Sequence, residues 1–231
     1  VKPPAGFNET DHVWKVTKAL YGLRQSPKCW NDRIKEILAQ IGFTPLKSES
    51  CIYHGTINNR DCYIIVYVDD MLLFTNNIEE MNFIKTKLKD VLDVYDLGEV
   101  NRFLGIDITR TSNVFSWSHK HYIENLAKRY EMDNCRLTKL PQVDTNDLTG
   151  ELFEHPHLVR QVIGSLLYLA NSTRPDIAAA TNILARHMQQ PSKLVWRYSK
   201  HIISYLMHTR DWSLNLCSFD NSGLTCYCDA N

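Results

Sequence analysis

Two adjacent carboxylates, Asp69 and Asp70, stand inside the most apolar run of the chain, Tyr63 to Phe74, which reads YIIVYVDDMLLF. An ionised carboxylate without a partner is costly in an apolar setting, so such groups sit at a surface, in an ion pair or on a metal. Carboxylate oxygens suit hard cations such as Mg²⁺, which takes one or two protein carboxylates together with substrate phosphates. A two-residue hairpin connection favours Asn-Gly or Asp-Gly, because its central residues need positive φ. Asp-Asp is therefore a poor choice for structure alone, although Asp tolerates left-handed geometry better than most residues. Periodicity leaves two readings open: a solvated turn, or a rigid hairpin presenting two carboxylates to a metal.

The second candidate is KALYGLRQSPKCW, Lys18 to Trp30. Gly22 permits a backbone conformation or a close approach that a β-carbon would block. Arg24 precedes an expected helix start at Ser26, where free amides and the helix dipole favour an anion such as phosphate. The plainer reading is a capped amphipathic helix with a solvated arginine, and composition alone favours it.

These residues need elements to hold them. Residues Val1 to Asp11, with two adjacent prolines, read as a loop. Ser26 is a good N-cap and Pro27 suits a first helical position. Trp30, Ile34, Ile37, Leu38 and Ile41 then recur at helical spacing, with Gly42 as the C-terminal cap. Tyr63 to Val68 and Met71 to Phe74 read as strands joined at the aspartates. Asn77, followed by Glu79 and Glu80, opens a helix carried by Met81, Ile84, Leu88 and Val91. RFLGIDITR and NVFSWS form an expected hairpin whose tip includes Thr111 and Ser112. Helices follow over His121–Tyr130, Leu158–Ala170, Asp176–Met188 and Lys193–Met207, the second with Val159, Val162, Ile163, Leu166 and Leu167 on one stripe. Leu140 to Pro156 is the best linker candidate, and Leu224 to Cys228 reads as a final strand. The fold class is α+β, an α+β region followed by a helical one.

Composition narrows the class. The apolar content of 44% is ample for a packed core. Formal net charge is zero, so bulk charge gives no case for nucleic acid, while a local basic groove stays open. The seven cysteines are scattered and hold no C-x-x-C pair, which argues against a disulfide framework and a zinc site. No apolar run approaches the ~20 residues of a membrane span, and no signal peptide opens the chain. The expectation is an intracellular, cytoplasmic protein with no membrane partner. The opening without methionine and the stop at YCDAN read as a piece of something longer.

Taken in order, ALYGLRQSPKCW, CIY, YVDD and DLGEVNRFLGIDI resemble the reverse transcriptase of copia-type retrotransposons. The resemblance continues through VRQVIGSLLYLANSTRPDIAAATNILAR and WRYSKHIISYLMHT to the terminal YCDA. It implies a partial right-hand polymerase fold: partial palm over residues 1–110, a thumb-like helical region over 111–190, and a tether helix with the start of a ribonuclease H domain over 191–231. It also implies RNA-directed DNA polymerase chemistry with two divalent ions, Mg²⁺ or Mn²⁺. The implied partners are an RNA or DNA template with its primer, dNTPs, and the integrase and ribonuclease H of a polyprotein, within a virus-like particle in an intact element.

Residue by residue, Asp69 resembles a catalytic metal ligand and Asp70 its acidic neighbour. Tyr67 and Val68 resemble the residues facing the primer end. Tyr21, Gly22, Arg24 and Gln25 match the segment contacting the incoming nucleotide and template base. Phe103, Leu104, Gly105 and Ile106 resemble the primer grip, and Val159 to Ile177 the thumb. The TRPD at Thr173 to Asp176 is read as a helix stop and restart, with Pro175 in a new first turn. Asp229 matches the first metal-binding acid of ribonuclease H, and one acid without its partners implies no ribonuclease activity.

One departure bears on activity. The family's first catalytic aspartate lies on a strand ahead of a segment similar to VKPPAGF, and before Asp69 this chain offers only Asp11 in a loop, Asp32 in the helix and Asp61 in an expected hairpin turn. Smaller departures are SHKHY at Ser118 to Tyr122, LPQ at Leu140 to Gln142, and His208. The expectation is negligible polymerase activity from this chain alone; the alternative function is a catalytically inactive remnant retaining at most nucleic-acid binding. A palm sheet without its partner strand would leave an open, aggregation-prone edge.

Overall fold

The computed structural model describes residues 1–3, 6, 12–111, 114–144 and 148–217. The expected tip residue Ser112, Asp11, the strand over 224–228 and Asp229 lie outside the described residues. The chain divides into two compact units, residues 1–98 and 99–231, and each is an α+β assembly around its own antiparallel sheet.

The first unit holds helix α1 (Ser26–Gln40), strands β1 (Thr44–Pro45), β2 (Ile52–Ile57), β3 (Arg60–Tyr67) and β4 (Asp70–Phe74), and helix α2 (Ile78–Val91). Its sheet runs β1-β2-β3-β4, antiparallel throughout. β3 alternates cleanly, with Cys62, Ile64 and Val66 buried and Tyr63 and Tyr67 exposed. The buried face joins Ile34 and Leu38 of α1, Phe43, Tyr53, and Ile84 and Leu88 of α2 in one cluster. A one-sided antiparallel sheet of this kind buries one face and leaves the other to solvent. Asp70, Leu72 and Phe74 therefore share the open face with Tyr67, to which Asp70 is paired. Among the described residues β1 and β4 are the sheet's two edges.

Two local expectations are corrected here. Ser26 is not the N-cap of α1 but its first residue; Gln25 is the N-cap, without a side-chain bond, and Pro27 falls in the first turn. The Ser26 hydroxyl instead donates back to the Leu20 carbonyl, which closes the preceding turn. Asp61 lies within β3 rather than in a turn, because Asn58 and Asn59 (φ 51° and 61°) make the two-residue connection. Asn77 does cap α2, its side chain accepting from the Glu79 amide at 2.9 Å. Gly42 follows α1 in a paired C-terminal motif, with Gly42 N–H bonded to Ala39 and Phe43 N–H to Leu38.

The second unit has a sheet of order β5-β6-β7-β8, from Arg102–Phe103, Ile106–Arg110, Val114–Ser118 and Leu214–Cys217. Its helices are α3 (Lys120–Arg129), α4 (Pro156–Ser172), α5 (Ala178–Ala185) and α6 (Lys193–His208). Val159, Val162, Ile163, Leu166 and Leu169 of α4 pack with Ile123 and Leu126 of α3, Leu184 of α5, and Ile202, Ile203 and Leu206 of α6. The segment expected to be a linker is seated on this core: Val143 and Leu148 are buried, and Ser192 Oγ donates to the Leu148 carbonyl at 2.6 Å. Strand β8, unforeseen in the sequence, pairs with β7 from Val114↔Cys217 to Trp117↔Leu214. No helix among the described residues is long and apolar enough to cross a membrane.

Candidate functional site

The connection between β3 and β4 consists of Val68 and Asp69, with Tyr67 paired to Asp70 across it. The turn is thus one residue earlier than the sequence pattern implied, and Asp70 opens β4. Val68 has φ 55° while Asp69 does not enter the positive region, which is the pattern of a type II′ turn, where glycine normally takes the first central position. A β-branched residue there is strained, by on the order of 1–3 kcal/mol. Such strain persists only where neighbours hold it. Here the Trp30 indole N–H donates to the Val68 carbonyl at 2.6 Å, while its ring packs on the core cluster. Asp69 and Asp70 are both exposed, and among the described residues neither carboxylate makes a hydrogen bond or ion pair.

Trp30 is the last residue of the second candidate segment. Tyr21 is 98% exposed, and Arg24 and Gln25 are exposed beside it. Gly22 has φ 92° with nothing within 4 Å of a β-carbon placed there, so its need is conformational and not one of crowding. The N-terminus of α1 carries no side-chain cap and no acid in its first turn, which leaves it electropositive. Helical spacing assigns Trp30 only to the apolar stripe of α1. Its role as the donor that ties α1 to the acidic turn has no signal in the sequence, because the bond spans 38 residues.

Neither of the other two described aspartates ahead of the turn joins Asp69 and Asp70 in a cluster. Asp32 is exposed on α1, and Asp61 accepts from His54 Nε2 at 2.7 Å. Among the described residues no three His, Cys, Asp or Glu side chains converge as a metal site.

In the second unit, Phe103 and Ile106 pair across a two-residue connection, Leu104–Gly105. Both central residues have positive φ, 51° and 82°, which defines a type I′ turn. Leu104 is exposed at its tip. The TRPD segment is more than a helix restart. Pro175 does begin a short 3₁₀ turn, Pro175–Ile177, ahead of α5. Arg174, only 2% exposed, also clasps Asp176 through Nε (3.0 Å) and Nη2 (2.7 Å) and reaches the Thr209 carbonyl and hydroxyl.

A family profile described as reverse transcriptase (RNA-dependent DNA polymerase) matches residues 1–144. The chain belongs to the reverse transcriptase family. It is 34% identical over its full length to a transposon Ty5-1 protein of Saccharomyces cerevisiae, covering 77% of that protein. It is 32% identical, over 99% of its length, to the retrovirus-related Pol polyprotein from transposon RE1 of Arabidopsis thaliana, and 29% identical, over 90%, to that from transposon TNT 1-94 of Nicotiana tabacum. The chain spans only 16–17% of those two plant-derived polyproteins. It therefore corresponds to the reverse transcriptase region of retrotransposon polyproteins. No solved structure matches it.

Proposed function

We propose that this reverse transcriptase region supplies the acidic palm hairpin, nucleotide segment, primer grip and thumb of an RNA-directed DNA polymerase that extends a primer with dNTPs. The supporting observation is the Trp30–Val68 bond, which ties α1, directly after the Tyr21–Gln25 segment, to the Val68–Asp69 turn. Asp69 and Asp70, exposed and uncompensated, would hold a divalent cation such as Mg²⁺ or Mn²⁺; hard carboxylate oxygens fit it in kind. Such a cation would supply charge stabilisation between primer hydroxyl and triphosphate. Arg24 and the uncapped start of α1 would meet the triphosphate, with Tyr21 and Gln25 toward the base pair. Tyr67 and Val68 would face the primer end. Phe103, Leu104, Gly105 and Ile106 would support the primer strand, and α4 with α5 would follow the duplex. In this reading the palm spans residues 1–110, the thumb 111–190 and the tether helix begins at 191. The cytoplasmic setting and the integrase and ribonuclease H partners, with Asp229 as an acid of the latter, belong to the same reading.

A second reading, nucleic-acid binding without chemistry, is favoured for the isolated chain by the lack of a third converging acid among the described residues. The 231-residue chain is expected to bind a primer–template with an affinity that falls steeply with salt, and to take up Mn²⁺ by electron paramagnetic resonance. Uptake should be lost in Asp69→Asn/Asp70→Asn. Primer extension that survives Asp69→Asn would refute the metal assignment, and salt-insensitive or absent primer–template binding would refute both readings.

A further inference from the structure

A chain of hydrogen bonds, buried at its His119–Thr173 end and exposed at Tyr168 and Leu104, runs from the helical core of the second unit to the Leu104–Gly105 turn. Tyr168, on α4, donates its O–H to the Leu104 carbonyl at 2.9 Å. The same oxygen lies 2.8 Å from His119 Nε2, and His119 Nδ1 lies 2.7 Å from Thr173 Oγ1. His119 and Thr173 are 1% and 3% exposed, so water does not substitute for these partners.

The chain has one consistent direction. A phenol has a single hydrogen, and that of Tyr168 is committed to the Leu104 carbonyl, since otherwise two oxygens would face each other at 2.9 Å. Tyr168 must then accept from His119, so Nε2 carries the proton. Nδ1 is left as an acceptor, and Thr173 donates to it. Of the two neutral tautomers only the one with the proton on Nε2 satisfies all three contacts, and burial, which lowers the His119 pKa, favours it over an imidazolium that would donate to both hydroxyls. Aligned bonds of this kind polarise one another.

The end of the chain is a strained place. Leu104 holds φ 51° without being glycine, a conformation that persists only when its surroundings impose it. Tyr168 also touches the next residue: a β-carbon on Gly105 would lie 3.0 Å from the phenol oxygen. The Tyr168 ring is itself fixed edge-on to His119 (centroids 4.9 Å, 79°) and against Tyr122 (5.1 Å).

We propose that Tyr168 and His119 are positioning residues that hold the Leu104–Gly105 turn in its left-handed conformation, so that α4 sets the height and orientation of the primer-supporting turn. The functional half of this statement rests on the reading of that turn as a primer grip; the positioning half does not.

The two halves are tested separately on the full chain. Tyr168→Phe removes only the hydroxyl. His119→Leu removes both donor and acceptor, whereas His119→Gln keeps one amide donor and one carbonyl acceptor on similar reach. Hydrogen–deuterium exchange of the Phe103–Ile106 amides should quicken about 5-fold in Tyr168→Phe and His119→Leu, the factor set by one neutral hydrogen bond of ordinary strength. It should return close to wild type in His119→Gln. Unchanged exchange in Tyr168→Phe overturns the positioning role, and His119→Gln behaving like His119→Leu overturns the relay through His119. Primer–template dissociation constants, by fluorescence anisotropy, should rise several-fold in Tyr168→Phe alongside the exchange. Quickened exchange with unchanged affinity overturns the link to the primer. If wild type itself binds no primer–template, the primer-grip reading fails while exchange still decides the positioning.

Discussion

Replacing Arg174 by alanine should cost the second unit about 3 kcal/mol, the lower end of the range for breaking one partner out of a buried ion pair. The guanidinium makes two charge-assisted bonds to Asp176 and two further bonds to Thr209. Simple addition of these bonds would overshoot, because each replaces a bond to water in the unfolded chain. Two features set the lower end. The Asp176 side chain is 30% exposed, so water can return to one oxygen, and Tyr205 O–H still donates to Oδ2 at 2.8 Å. Against that, the Thr209 carbonyl loses its guanidinium donor, and the cation leaves the faces of Tyr205 and Trp212, 5.5 and 5.7 Å away. At a urea slope of about 2 kcal/mol per molar, the midpoint should fall by roughly 1.5 M. Arg174→Lys should recover less than half, since one ammonium cannot span both Asp176 oxygens and Thr209. Asp176→Ala and the double variant complete the cycle, with a coupling of about 2 kcal/mol expected. The pH dependence gives an independent check. Burial opposes ionisation of Asp176, but hydrogen bonds from Arg174 and Tyr205 outweigh it and hold the carboxyl below its ordinary value of 3.8. The stabilisation is thus complete above the unfolded pKa near 4 and is lost as pH falls through the folded value. The difference between wild type and Arg174→Ala should narrow in strong acid. A loss under about 1 kcal/mol at pH 7, or strict additivity in the cycle, would show that this cluster does not brace the unit.

Two other outcomes are expected. His119 has its pKa lowered, chiefly by burial, with Asp107 raising it and Arg102 lowering it again. For a base held neutral in the fold, stability is intact above the ordinary value of 6.5 and declines as pH drops below it; thermal unfolding between pH 8 and 5 should show this decline in wild type and a flatter profile in His119→Gln. Gly55→Ala should destabilise the first unit by about 1–3 kcal/mol, against the usual gain for Gly→Ala. Its new β-carbon would lie 2.9 Å from both the Gly42 carbonyl and Phe43 Cδ1, and a backbone oxygen cannot swing aside. Urea unfolding checks the sign.

Much of the candidate site was legible because its signals are local. The apolar run around Asp69 and Asp70 announces strands by composition, Gly22 announces a backbone need, and Asn77 before Glu79 announces a helix start that the structure shows bond for bond. The misses are failures of register or of distance. A hairpin's exact turn depends on cross-strand pairing, so Val68 rather than the Asp pair came to occupy the first strained position. Ser26 has the chemistry of a cap, yet it was drawn to the Leu20 carbonyl when the preceding turn closed. Strand β8 alternates weakly in Leu214–Cys217 and becomes a strand because β7 offers it a ladder.

By itself the sequence determined that two adjacent acids would interrupt a sheet, that helices would carry apolar stripes at Ile34–Ile41 and Val159–Leu167, and which ordered set of motifs places the chain among reverse transcriptases. Tertiary structure alone decided which groups meet. Trp30 with Val68, Tyr168 with Leu104, and Arg174 with Thr209 are bonds across 38, 64 and 35 residues. Periodicity reports only which side of an element faces inward. Hydrogen-bond partners at such separations are chosen when the packed core sets two elements within about 3 Å of one another, a fact that exists only in the folded chain.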